Sequence, residues 1–201
     1  MMELIHSGAS PFVRMALVTA HETGMVDQIT LKTVTTTAVD VAPEAAAANP
    51  LGKIPALVRP EGATLYDSRV ICRYLNARGE GDLYPDARLW EVLTLEATAH
   101  GVAEAAVLMI YEKRLRSEAE QSEAWVAAQW AKVTGALDAL EARWMSHLYG
   151  PLDAGQLAVA CALGYLDFRH SDRDWRAERP GLAAWFGRFA ERPSMKATDP
   201  A

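Results

Sequence analysis

The run MELIH at residues 2–6 is short and apolar, the pattern of a strand buried on both faces. From Pro11 the spacing changes: Val13, Ala16, Leu17 and Ala20 recur at helical intervals, and Gly24 closes the pattern. ITLKTVTT (29–36) is β-branched and alternating, which predicts a second strand, and the Ala-rich EAAAA (44–48) predicts a short helix stopped by Asn49-Pro50. IPALV (54–58) and ATLY (63–66) flank the turn sequence Arg-Pro-Glu-Gly and read as a hairpin. DSRVICRYLNARG (67–79) predicts a helix with Gly79 just past its end. The order β-α-β-α-β-β-α describes a parallel βαβ unit joined to a hairpin, one sheet with helices on its faces.

After residue 81 the pattern changes. GDLYPDA (81–87) has the turn residues of a linker, and no convincing strand follows it. Apolar stripes at helical spacing run through 87–115 and 118–148, and LAVACALGYL (157–166) is apolar nearly all round, as a central helix buried on every side would be. GLAAWFGRF (181–189) predicts a last amphipathic helix. Two domains are expected: a small α/β domain over residues 1–80 and an all-helical domain over 87–201. Asp153-Ala154-Gly155-Gln156 opens the central helix as a capping box in altered form, with a folding role. Gly155 in its first turn is unexplained by the sequence.

Composition narrows the chemistry. Half of the 201 residues are hydrophobic and 23% are charged, which excludes a disordered chain. The net charge of −6 comes with scattered Lys and Arg and no basic block to neutralise phosphates, which argues against a nucleic-acid partner. No targeting leader and no uninterrupted apolar run of about 18 residues is evident, so a soluble cytoplasmic protein without a membrane partner is expected. Cys72 and Cys161 lie far apart in apolar helical patterns and read as buried thiols. The five histidines show no ligand spacing, so no metal is expected.

Three motifs carry candidate chemistry. In SGASPFVR (7–14), Ser10 before Pro11 is a good helix start on stability grounds alone, and it also exposes a small hydroxyl at a strand-to-helix turn. NPLGKIPALV (49–58) offers Ile54-Pro55 at a strand start, either an ordinary trans edge or a cis turn that aims backbone groups at a cleft. TLYDSRVICRYL (64–75) puts Asp67-Ser68 at a helix entrance, where capping and carboxylate binding are compatible.

These motifs in this order resemble those of the cytosolic glutathione transferases, bacterial and serine-type. ACALGYLDFR (160–169), Trp175-Arg176 and RPGLAAWFGRFAERPSM (179–195) extend the likeness across the helical half. The resemblance implies a thioredoxin-like N-terminal domain that binds glutathione and attacks a small hydrophobic electrophile. Ser10 would be the catalytic hydroxyl, with Ser7 as the alternative. Ile54 would pair with the cysteinyl portion, Ser68 would hold the γ-glutamyl carboxylate, and Asp67 would lie toward the ammonium. Lys53 is either a contact for the glycyl carboxylate or a surface lysine. Phe12 and Tyr111 are candidates for the electrophile pocket, although core packing or a dimer contact explains the face shared by His100, Glu104, Leu108 and Tyr111 equally well. No tyrosine stands in residues 1–20 and no cysteine before Cys72, so tyrosine-type and enzyme-thiol chemistry are excluded here. A homodimer is expected. Glutathione-dependent disulfide or peroxide reduction, and a non-catalytic binding or regulatory module, remain as alternatives.

A thiol with a pKa near roughly 8.5 is only a few per cent thiolate at neutral pH. Lowering it by two units needs about 2.7 kcal/mol, and one hydrogen bond to a charged group supplies about 1.5–3. One hydroxyl, assisted by a helix end, is therefore about enough.

Overall fold

In a computed structural model of the chain, residues 1–200 are described, and they divide into two compact units. One comprises Met1–Leu89 with the segment from Pro193 onward; the other is Trp90–Arg192. The C-terminal segment, expected to complete the helical domain, thus belongs with the first unit. The reason is local: it packs on the first helix and its polar groups find partners there.

The first unit is built on a three-stranded sheet in the order β2-β1-β3, from β1 (Met2–His6), β2 (Ile29–Thr33) and β3 (Ala56–Val58). β1 and β2 are parallel, with Met2 opposite Ile29 and His6 opposite Thr33, and β1 and β3 are antiparallel, with Leu4 opposite Leu57. The expected fourth strand is reduced to one antiparallel bridge, in which Leu57 and Leu65 exchange both backbone hydrogen bonds at 2.9 Å. The turn before it is occupied elsewhere: Arg59 donates to the Ala63 carbonyl at 2.7 and 2.9 Å, and Gly62 has φ +86°.

Alternation along β1 sorts the core. Met2 and Leu4 face a cluster with Val13, Ala16 and Ala20 of α1 (Pro11–Glu22) and Ile71 and Leu75 of α3 (Ser68–Arg78). Ile5 faces the other side, with Ala56, Val34 and Ala45 of α2 (Pro43–Ala48).

The second unit is helical: α4 (Leu89–Leu115, its first residue in the first unit), α5 (Glu123–Arg143), α6 (Met145–Leu148), α7 (Ala154–Arg169) and α8 (Pro180–Phe189). The helix expected over 118–148 is interrupted. Ser122 starts α5 by accepting the Trp125 N–H at 3.2 Å, and Trp144 ends it. Every residue of α7 from Ala154 to Leu166 is buried, as its all-round apolarity predicted. Trp175 and Arg176 have a structural task, since the indole N–H and the guanidinium both donate to Asp167 near the end of α7, at 2.8 and 2.6 Å. Glu141 of α5 serves as the cap of α8, accepting the N–H groups of Gly181 and Leu182 at 3.0 and 2.6 Å. With the turn before it, α4 spans Asp86–Leu115 and is long and apolar enough to cross a membrane by composition. Half of its most apolar stretch is buried within the protein, and Val92, Leu95, Ala99, Val102, Ala106 and Met109 are among the buried residues of the helix. A short helix, α9 (Pro193–Ala197), follows in the first unit and was not foreseen.

Candidate active site

The topology of the first unit gathers three motifs at one end of the sheet. Because β1 and β3 are antiparallel, the end of β1 lies beside the start of β3. The Leu57–Leu65 bridge is antiparallel too, so the chain leaving Leu65 passes that same start. The Ser7–Ser10 turn, Ile54-Pro55 and Asp67-Ser68 therefore share an edge, and α1 and α3 both begin there. Each of these two helix N-termini presents the positive end of its dipole.

Ser10 is the N-cap of α1. Its Oγ accepts the Val13 N–H at 3.3 Å, its carbonyl accepts the Arg14 N–H at 3.0 Å, and its own N–H donates to the Ser7 carbonyl at 3.0 Å. As an acceptor toward Val13, the hydroxyl still has its hydrogen to give. Pro11 occupies the first helical position, where a missing N–H costs nothing. Ser7 is half-buried on the same turn, and Phe12 is half-buried at the helix start.

Asp67 caps α3, accepting the Arg69 N–H at 3.0 Å, and its carboxylate also takes the Arg69 guanidinium at 2.8 Å. The sequence reading missed Arg69. A basic residue two places after a capping acid is the signal that could have found it. Ser68 is buried, with 1% of its surface exposed, at the first position of α3. The Ile54–Pro55 and Tyr66–Asp67 bonds are both cis. Ile54 lies outside the β1–β3 ladder, which ends at Ala56.

Lys53 has an exposed side chain, and its carbonyl accepts from the Asn49 side-chain amide at 2.9 Å. Asn49, buried and also accepting the Leu51 N–H at 3.0 Å, holds the turn that leads into β3. Gly52 in that turn has φ +64°, and a side chain there would meet Val41.

His6, at the end of β1, has Nε2 3.0 Å from the Thr33 hydroxyl and a buried Nδ1 without a hydrogen-bond partner. Burial holds its pKa below the ordinary histidine value, so at neutral pH it is uncharged. Tyr111 belongs to the second unit, half-buried on α4, where His100 is buried and Glu104 and Leu108 are exposed. Among the described residues no group of three or more His, Cys, Asp or Glu is placed to hold a metal ion.

This fold and these motifs define a class. The sequence model of the glutathione S-transferase N-terminal domain matches residues 9–78, and that of the C-terminal domain matches residues 123–188. The chain belongs to the glutathione S-transferase family. Among individual relatives, a glutathione transferase family member from Pseudomonas fluorescens Pf-5, crystallised with bound glutathione, is 43% identical, with a TM-score of 0.97 and complete coverage of both chains. A Methylobacillus flagellatus KT glutathione S-transferase with glutathione bound is 36% identical, again over both full chains, with a TM-score of 0.85. The Escherichia coli K12 protein described as the uncharacterized GST-like protein YibF is 31% identical over 99% of this chain and 98% of its own.

Proposed function

We propose that this protein is a glutathione transferase that uses Ser10 to hold the bound glutathione sulfur as thiolate for attack on a small hydrophobic electrophile. The observation that carries the reading is the Ser10 hydroxyl. It caps α1 by accepting from Val13, and it does so at the edge where α3 also begins. Its remaining hydrogen goes to the sulfur, and the α1 N-terminus adds a favourable field to the charged form.

The other groups divide the tripeptide between them. The backbone of Ile54, free of the sheet ladder, pairs with the cysteinyl portion. Ser68 and the α3 N–H groups take the γ-glutamyl carboxylate. Asp67 meets the ammonium while it shares its charge with Arg69. Lys53, exposed and close in sequence, is the candidate for the glycyl carboxylate. Phe12 and Tyr111 are the candidate contacts for the electrophile. Glutathione bound in relatives at 43% and 36% identity supports the ligand. A cytosolic homodimer completes the proposal.

Isothermal titration with glutathione, followed by conjugation assays over aryl halides and epoxides, tests the reading. Binding with turnover on at least one electrophile is expected. Binding without conjugation of any electrophile, or turnover of disulfides or peroxides in its place, contradicts it.

A further inference from the structure

The C-terminal segment runs along α1 and holds it at two places. Near the capped end, Arg14 is 7% exposed, and its Nη2 donates to the Met195 carbonyl at 3.0 Å and to Asp199 at 3.2 Å. Its Nε lies 3.5 Å from the Thr198 hydroxyl. At the far end of α1, the Ser194 hydroxyl donates to Glu22. The Thr198 hydroxyl donates to the Ser194 carbonyl at 2.9 Å, which ties the two attachments together. Arg14 and Glu22 are eight residues apart, so the grip spans about 12 Å of helix.

We propose that Arg14 is a positioning residue for Ser10, and that the chain's own C-terminal segment is the brace through which it acts. The proposal rests on the reading of Ser10 given above. The Arg14 N–H closes the first turn of α1 on the Ser10 carbonyl at 3.0 Å, so anchoring residue 14 fixes the turn from which the hydroxyl projects. Burying a guanidinium is costly for folding alone, and an apolar side chain would fill the space without that cost. A planar fork reaching several acceptors fixes direction, as a lysine ammonium on its flexible stem cannot. Direction is what an O–H···S bond requires, since misplacements on the order of 1 Å are enough to lose a large part of such an effect.

The test compares native protein, Arg14→Lys, and a Ser194→Ala/Asp199→Ala double variant that leaves Arg14 in place. Three quantities are read: the pKa of the bound glutathione thiol from its ultraviolet absorbance, glutathione affinity by calorimetry, and thermal unfolding. Both variants are expected to raise the thiol pKa by about 0.5–1 unit, a three- to tenfold change in the ionisation constant, with affinity changed less than about twofold. Thiol titrations like the native one in both variants overturn the proposal, whatever happens to stability. If Arg14→Lys does not fold, the double variant decides by the same criterion. Ser10→Ala separates the two readings. If it shifts the titration while the brace variants do not, only the positioning role fails. If it also leaves the titration unchanged, the role of Ser10 itself fails.

Discussion

Asp153→Ala probes how the helical unit is held together. Asp153 is fully buried at the start of α7. Its Oδ1 accepts the Gln156 N–H at 3.1 Å, and its Oδ2 lies 2.7 Å from Nε2 of His147. Alanine removes a cap worth about 0.5–2 kcal/mol. It also removes a hydrogen bond to a charged group, worth about 1.5–3 kcal/mol. The two losses share one carboxylate and do not add in full, so about 2–4 kcal/mol is expected. That is a large fraction of the 5–15 kcal/mol that typically holds a domain. Asp153→Asn, which retains a capping oxygen, should lose less, about 1–2 kcal/mol.

All six tryptophans lie between Trp90 and Trp185, within the second unit, so intrinsic fluorescence follows that unit's unfolding. With a urea dependence of about 2 kcal/mol per molar, the alanine variant's midpoint should fall by about 1–2 M. A cycle with His147→Ala isolates the pair and should give a coupling of at least about 1 kcal/mol. An alanine midpoint equal to the native one, or zero coupling, refutes the reasoning.

Gly155→Ala should destabilise the same unit. A Cβ there would sit 2.7 Å from Leu95 Cβ and 3.0 Å from the Val92 carbonyl oxygen of α4. Overpacking of about 1–3 kcal/mol outweighs the gain in helix propensity of about 1; a rise in the fluorescence-detected midpoint would contradict this. Acid should weaken the protein below about pH 6.5, because burial holds the pKa values of His6 and His170 below the unfolded value. Both histidines stay neutral when folded, so the stability they contribute is complete above that pH and is lost as pH falls toward their lowered values. His170→Phe should flatten the part seen by fluorescence, and an unchanged difference between melts at about pH 7.5 and pH 5 would sink that attribution.

Local patterns were read well from the sequence, and long-range closures were not. MELIH gave β1 to the residue, because an apolar run of that length has few other uses. Ser10-Pro11 and Asp67 marked the starts of α1 and α3 because capping chemistry is local. ATLY alternates like a strand, but whether it pairs over its length depends on the preceding turn, which Arg59 occupies. The start of α5 inside 118–148 had its own local signal, the capping serine Ser122, which the apolar stripe obscured. The anchorage of Arg14 lies 181 to 185 residues away in sequence and left no periodic trace. Gly155 is explained only by the closeness of α4 to α7, which composition does not reveal.

The central proposal is that the Ser10 hydroxyl, at the start of α1, keeps the sulfur of bound glutathione ionised near neutral pH. The most direct measurement is the absorbance of the glutathione thiolate in the binary complex across a pH titration, for native protein, Ser10→Ala and Ser7→Ala. The native complex should ionise about two units below free glutathione, and only Ser10→Ala should bring the value most of the way back. A native complex that titrates like free glutathione, or one that Ser10→Ala leaves unmoved, contradicts the account.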